Sequence, residues 1–168
     1  GCGSGGIMRE FLDLGAHPAR MVGADLLADR LQSARAQSPE LTLLCADGQS
    51  LPFTSASFDL ALQFTAFSSI LDPSVKKRMA AEMLRVLSPG GALIWYDFWW
   101  NPINKQTKGI HLSEIRALFP GFKLESQKIT LAPPLARLLV PRFTRAAAGL
   151  EKLRFLNTHY LILLRRNP

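Results

Sequence analysis

The sequence predicts an α/β fold in which a mostly parallel β-sheet carries helices on both faces. Apolar residues recur with strand-like and helix-like periods in alternation along the 168 residues, the pattern of parallel strands joined by crossover helices. A glycine-rich turn at residues 1–6 opens the chain, and Asp25 ends the first predicted strand. Ligands of such sheets bind beyond the carboxyl ends of the strands, so a ligand site is expected where the turn and Asp25 meet.

The remaining elements follow from periodicity and from proline and glycine positions. Strands are predicted over 20–24, 41–46, 58–64, 92–98, 122–131 and 158–164. Helices are predicted over 5–15, from Leu27 to a stop at Pro39, from Pro73 to a break at Pro89-Gly90-Gly91, from Leu112 to Phe119, and over most of 133–155 with Pro141 as a divider. Two helices show a buried stripe, formed by Leu27, Leu31 and Ala34 in one and by Val75, Met79, Met83 and Val86 in the other.

Length and composition predict one globular domain spanning 1–168, with 48% hydrophobic and 20% charged residues. The longest apolar candidate for a membrane span is interrupted by Asp97. Cys2 and Cys45 are not spaced as a metal pair, so no metal is expected and a reducing cytoplasm is the expected location. The net charge of +7 is typical of a surface that attracts nucleic acid, anionic lipid or an acidic substrate, and also of a solvated basic face.

The chain begins on the glycine turn, whereas such a turn normally follows a buried strand. We therefore expect that the sequence is N-terminally incomplete and that the first strand, together with any lid before it, is missing.

The glycine turn and Asp25 predict a site for a cofactor that contains adenosine. Glycines let the backbone approach a nucleotide closely, and a carboxylate about 20 residues later accepts hydrogen bonds from ribose hydroxyls. The spacing Gly1-x-Gly3-x-x-Gly6 also matches a dinucleotide fingerprint, so these residues alone do not distinguish the two classes of cofactor.

Five segments in order resemble the class I S-adenosylmethionine-dependent methyltransferases of the bacterial type 11 group: GCGSGG, VGAD, ADGQSLPF, SFDLALQF and EMLRVLSPGGALIWYD, all within about residues 1–100. The resemblance implies a Rossmann-like seven-strand sheet whose antiparallel last strand, 158–164, lies beside 92–98. It also implies S-adenosyl-L-methionine as the cofactor. The implied cofactor-binding residues are Gly1, Cys2, Gly3, Gly5, Asp25, Leu26, Asp47, Gly48, Gln63 and Phe64.

An oxygen acceptor needs a base, whereas an amine can react without one. Three residues compete for that role: His159, which an antiparallel last strand brings to the cofactor edge, Asp97, which ends the fifth strand of the family's sheet, and His111. Each has a structural alternative, as a buried histidine, a loop anchor or a helix cap. Trp99 and Trp100 are candidates for the wall of an acceptor pocket, and His111 joins them as a candidate substrate contact, whereas Trp95 is expected in the core.

The resemblance implies methyl transfer to an oxygen or nitrogen of a small molecule or of a glycan or lipid precursor. Methylation of RNA or protein, aided by the basic surface, is the alternative within enzymes, although FTAF stands where an Asn-Pro-Pro-Tyr-like motif would be. A non-catalytic cofactor-binding partner subunit is the alternative outside enzymes. Residues beyond about 100 match no pattern with a known acceptor, and the oligomeric state is not predicted.

Overall fold

The computed structural model describes residues 1–101, 104–141 and 143–166. In these residues the strands are β1 (Val22–Asp25), β2 (Thr42–Cys45), β3 (Phe58–Phe64), β4 (Leu87–Phe98), β5 (Phe122–Leu131) and β6 (Asn157–Arg166). The helices are α1 (Gly6–Asp13), α2 (Ala28–Gln37), α3 (Pro73–Val86), α4 (Leu112–Leu118), α5 (Pro133–Leu139) and α6 (Thr144–Glu151). Short 3-10 turns cover Pro18–Arg20, Phe67–Ser69 and Arg154–Leu156. None of the helices in these ranges has the length and apolar character needed to cross a bilayer.

The first of two compact units consists of Gly1–Asp59 and Asp72–Pro89. In it β1 pairs in parallel with β2, so that Asp25 lies opposite Cys45 at the carboxyl ends of both strands. An apolar cluster of Met8, Leu31, Ala34, Leu41 and Leu43 packs α1 and α2 around this sheet. The burial of these side chains is the main force that holds the glycine turn's helix in place.

The second unit consists of Leu60–Leu71 and Gly90–Pro168. Most of a four-stranded sheet with the order β3-β4-β6-β5 belongs to it. Strand β6 is antiparallel to both β4 and β5, with Phe98 opposite His159 and Asp97 opposite Tyr160. The predicted antiparallel strand beside 92–98 is therefore confirmed, whereas the count of seven strands stays a prediction. Trp95 is fully buried against Phe67 and Phe119, as predicted for a core residue.

Three details of the sequence prediction were wrong. Strand β4 begins at Leu87, directly after α3, and runs through Pro89-Gly90-Gly91, where Gly90 takes a positive φ of 82°. Leu27 precedes α2 as its N-cap residue and is exposed, so that only Leu31 and Ala34 form the buried face.

The stripe predicted on α3 is rotated. Of its four members only Val86 is fully buried, and Lys76 and Ala80 occupy the other buried positions of that helix. Met79, a member of the predicted stripe, is half-buried and lies close to Gly48, where an added Cβ would be 2.8 Å from its Cε.

Candidate functional site

The glycine turn is folded back on itself by its own backbone. Gly3 and Gly5 have φ values of 55° and 76°, in the left-handed region that favours glycine. The Gly5 amide donates to the Cys2 carbonyl at 3.0 Å, and the Cys2 amide donates to the Ala24 carbonyl at 3.0 Å. The Gly1 amino group also donates to the Ala24 carbonyl, at 2.7 Å. The turn is thus attached to the end of β1.

Asp25 joins the turn to the start of the next helix. Its Oδ2 accepts a hydrogen bond from the Gly3 amide at 2.7 Å, and its Oδ1 accepts one from the Leu27 amide at 2.9 Å. The side chain is only 6% exposed. A carboxylate has about four acceptor positions, so each oxygen keeps the capacity to accept another hydrogen bond.

Gly23 permits the close packing of the turn against β1. A Cβ at this position would lie 2.6 Å from Met8 Sδ and 2.8 Å from Cys2 Sγ. A larger residue here would force the side chains of Met8 and Cys2 to move. The VGAD segment therefore contributes a contact glycine as well as its aspartate.

The end of β2 completes the polar edge of this unit. The Ala46 amide donates to the Asp25 carbonyl at 3.0 Å, which sets the loop that carries Asp47 and Gly48 level with Asp25. Asp47 is exposed, and its Oδ1 accepts from the Gln49 amide at 2.9 Å. Leu26 is 64% exposed. Seven of the residues assigned to cofactor binding thus share one edge of the β1-β2 unit: Cys2, Gly3, Gly5, Asp25, Leu26, Asp47 and Gly48.

The second unit places the two candidate bases on opposite faces of one sheet. Side chains alternate between faces along a strand, and Phe98 pairs with His159 whereas Asp97 pairs with Tyr160. His159 stacks on Tyr96 with ring centroids 4.6 Å apart, and Tyr96 in turn contacts Phe64 at 5.5 Å. Gln63 lies on the other face with Asp97. One acceptor site on either face can therefore use only one of these two bases.

Asp97 serves as an internal anchor. It is fully buried, and its Oδ2 accepts from Gln63 Nε2 at 2.6 Å and from the Ser68 amide at 3.1 Å, while its Oδ1 accepts from the Phe98 amide at 2.8 Å. Burial raises the pKa of this carboxyl, against the lowering effect of those donors. These contacts match the loop anchor that was the structural alternative for Asp97, and its role as the base stays a prediction. Gln63 shares this anchoring role.

His159 lies in an aromatic environment. It is 4% exposed, contacts Phe98 with ring centroids 3.8 Å apart, and has its Nδ1 3.1 Å from Thr158 Oγ1. Desolvation lowers the pKa of His159 from 6.5 to about 4, so the ring is neutral at physiological pH. The role of this residue as the base stays a prediction.

Two polar contacts near His159 could not be predicted from the sequence. The Tyr96 hydroxyl and Thr130 Oγ1 are 2.8 Å apart, and burial raises the pKa of that phenol. The Thr130 amide donates to Glu151 Oε1 at 3.0 Å. Thr130 has a φ of 65°, a rare conformation for a β-branched residue, and this turns it out of the regular strand. A threonine in a strand pattern does not reveal such a conformation.

The three remaining candidates differ in how firmly they are held. Trp99 is half-buried: its indole N–H donates to the Asn157 carbonyl at 2.8 Å, and Lys128 Nζ lies 3.6 Å from its ring centroid. Trp100 is 51% exposed. His111 is exposed and is the N-cap residue of α4, the position that its structural alternative predicted, although its side chain makes no capping hydrogen bond.

Comparison with known proteins identifies the family. Residues 1–91 match a family described as a methyltransferase domain. The phthiotriol/phenolphthiotriol dimycocerosates methyltransferase of Mycobacterium leprae is 38% identical over 106 residues, which are 62% of this chain and 37% of that protein. A sterol 4-C-methyltransferase of Caenorhabditis elegans is 32% identical over 103 residues, 58% of this chain and 29% of that protein. The chain thus matches about a third of the length of these curated relatives.

Solved structures agree with this assignment at the level of the fold. An S-adenosylmethionine-dependent methyltransferase from Mesorhizobium loti has a TM-score of 0.70 at 21% identity, over 99% of this chain and 88% of that one. One from Methanosarcina mazei has a TM-score of 0.72 at 18% identity, over 99% and 89%. The predicted Rossmann-like fold and the S-adenosylmethionine cofactor of the family are confirmed. The chain belongs to the methyltransferase domain family.

Proposed function

We propose that this chain forms the core of an S-adenosylmethionine-dependent methyltransferase acting on an oxygen or nitrogen of an apolar small molecule or lipid precursor. The observation that carries the proposal is the attachment of the glycine turn to Asp25 through the Gly3 amide, at 2.7 Å. This bond preorganises the backbone turn and the carboxylate as one rigid element, so that neither has to be ordered when the ligand binds.

The residues of the β1-β2 unit fit the adenosine part of such a cofactor. Asp25 keeps acceptor capacity on both carboxylate oxygens for the two ribose hydroxyls. A Cβ added to Gly3 would meet no other atom within 4 Å, which indicates open space beside the turn. Leu26 offers an exposed apolar surface next to Asp25. Asp47 and Gly48 would contact the adenine ring from the β2 side.

The cofactor supplies a methyl carbon that its sulfonium has already activated, so the protein's task is mainly alignment. In the second unit His159 is the group that would take a proton from a hydroxyl acceptor, since its neutral ring has an available lone pair at physiological pH. Tyr96 holds the imidazole ring flat by stacking on it with an interplanar angle of 2°. A nitrogen acceptor would use the same surface without the base.

An apolar acceptor is favoured by a cavity near this face. The cavity has a volume of about 260 Å³ and is lined by Leu131, Ala136, Val140 and Ala148, with Thr130, Thr144 and Glu151 as its polar members. Thr130 connects it to Tyr96, and thereby to His159. The names of the relatives point the same way: they act on phthiotriol dimycocerosates, sterols and, for a protein of Renibacterium salmoninarum, demethylmenaquinone.

The binding half of the proposal is tested by calorimetry on the full-length protein. S-adenosylhomocysteine is expected to bind and NAD is not. Asp25→Ala removes two hydrogen bonds to a charged acceptor and should weaken binding at least about tenfold. Asp29→Ala is the matched control, because it removes the same charge from an exposed site four residues away. Equal affinity in both variants would contradict the ribose assignment.

The catalytic half is tested by supplying labelled cofactor with cell fractions. Label in the organic-solvent phase would support an apolar acceptor. Label in RNA or in protein would favour the macromolecular alternative, and normal cofactor binding without any transfer would favour a non-catalytic subunit.

A further inference from the structure

The α5–α6 segment, residues 133–156, carries an apolar surface with no partner in the described structure. Five of its large hydrophobic side chains are 44% to 75% exposed: Leu138, Val140, Phe143, Leu153 and Phe155. Among the residues of α5, α6 and the Arg154–Leu156 turn whose burial is described, none is fully buried. Isolated exposed apolar residues are normal, but a concentration of them in one segment marks an interaction surface.

The same segment is strongly basic. It carries five basic residues and one acidic residue, and therefore contributes +4 of the net charge of +7. Arg137, Lys152 and Arg154 are exposed among the apolar side chains. The acidic member, Glu151, accepts a hydrogen bond from the Thr130 amide at 3.0 Å, which directs its carboxylate toward β5.

We propose that the α5–α6 segment binds the surface of an anionic lipid bilayer. Short helices that combine Leu and Phe with Lys and Arg lie in the membrane interface, where apolar side chains enter the acyl boundary and the cations meet lipid phosphates. The proposal concerns where the protein works, and it does not rest on methyl transfer.

Two other partners fit this surface less well. A second copy of the segment would bring the same excess of positive charge against itself, which costs free energy at an interface. Nucleic acid would satisfy the arginines and the lysine, but it offers no environment for aliphatic Leu138, Val140 and Leu153, since single strands bind through stacking on aromatic rings. A bilayer satisfies both the charge and the aliphatic surface.

The test is flotation of the full-length protein with two kinds of vesicle, one of phosphatidylcholine alone and one that also contains phosphatidylglycerol. The protein should float with the anionic vesicles, and added salt should release it. The double substitution Leu138→Ser with Phe155→Ser should weaken binding at least about tenfold. The triple substitution of Arg137, Lys152 and Arg154 by Gln should do the same, because each cation near the surface contributes about fivefold.

Matched controls use equally exposed residues elsewhere. Leu14→Ser with Leu71→Ser is the apolar control, and Lys77, Lys105 and Lys123 replaced by Gln form the charge control. Both should bind anionic vesicles like the wild type. The proposal would be overturned if the protein bound neither kind of vesicle. An equal loss of vesicle binding in the test variants and the control variants would overturn it as well. A third outcome would assign the surface to a second copy instead. In that case the wild type would be a dimer in sedimentation velocity, the Leu138/Phe155 variant alone would be a monomer, and neither would bind vesicles.

Discussion

Replacing His159 by phenylalanine should remove a specific loss of stability at acid pH. In the wild type the folded-state pKa of about 4 lies below the ordinary value of 6.5 because the ring is buried. The unfolded chain therefore binds a proton more readily than the folded protein does. The free energy of unfolding therefore keeps its full value, as far as this site is concerned, above about pH 6.5. The contribution of the neutral ring is lost as the pH falls toward about 4.

The two pKa values set the size of the effect. The full difference between 6.5 and about 4 corresponds to about 3 kcal/mol. Between about pH 7.5 and about pH 5, protonation of the unfolded chain at this site alone should lower the free energy of unfolding by about 2 kcal/mol. Phenylalanine keeps a flat ring between Tyr96 and Phe98 but does not titrate.

Urea unfolding of the full-length wild type and of His159→Phe, each measured at both pH values, provides the comparison. Other groups, Asp97 among them, titrate equally in both proteins, so their contributions cancel in the difference between the two pH dependences. The wild type should lose about 2 kcal/mol more than the variant over this range. Identical pH dependences would refute the argument, because they would show that the imidazole is protonated as easily in the folded protein as in water.

Two further substitutions test the anchoring contacts. Gly23→Ala places a methyl group 2.6 Å from Met8 Sδ and should weaken S-adenosylhomocysteine binding severalfold by displacing the turn. Gly149→Ala is its control, because the added methyl group meets nothing within 4 Å. It should leave binding unchanged and stabilise α6 by about 0.5–1 kcal/mol. Asp97→Ala removes the acceptor of buried donors from Gln63 and Ser68, and urea unfolding should show a loss of about 3 kcal/mol or more. A loss below about 1 kcal/mol would mean that water replaces the carboxylate.

The parts of the fold that depend on local sequence were predictable. The glycine turn, Asp25 at the end of β1 and the loop of Asp47 follow from residue types whose conformational preferences are strong, and the antiparallel last strand followed from the family resemblance. The start of β4 was not predictable in the same way, because Pro89-Gly90-Gly91 normally ends an element and here lies inside a strand. The buried face of α3, formed by Lys76, Ala80 and Val86, was also not predictable, because the packing of a helix depends on residues far apart in sequence.

The candidate site shows the same division. Sequence reasoning selected both His159 and Asp97, since each is a titratable residue near a strand end. Because Phe98 pairs with His159, the side chains of His159 and Asp97 face opposite sides of the sheet. This pairing depends on two strands together and cannot be predicted from either strand alone. The roles of Tyr96 and Thr130 depend on the unusual backbone at Thr130, for which the sequence contains no glycine or asparagine as a marker.

The pairing of β6 also determines where the chain can tolerate a change in length. Residues added to the helical stretch before β6 leave the strand's alternation intact. One residue added between Tyr160 and Leu161 would disturb that alternation, provided that Ile162 and Leu164 keep their buried positions. Tyr160 would then occupy the place opposite Phe98, and the imidazole of His159 would turn to the other side of the sheet. A single codon inserted there would exchange a proton acceptor for a phenol without altering any residue of the site.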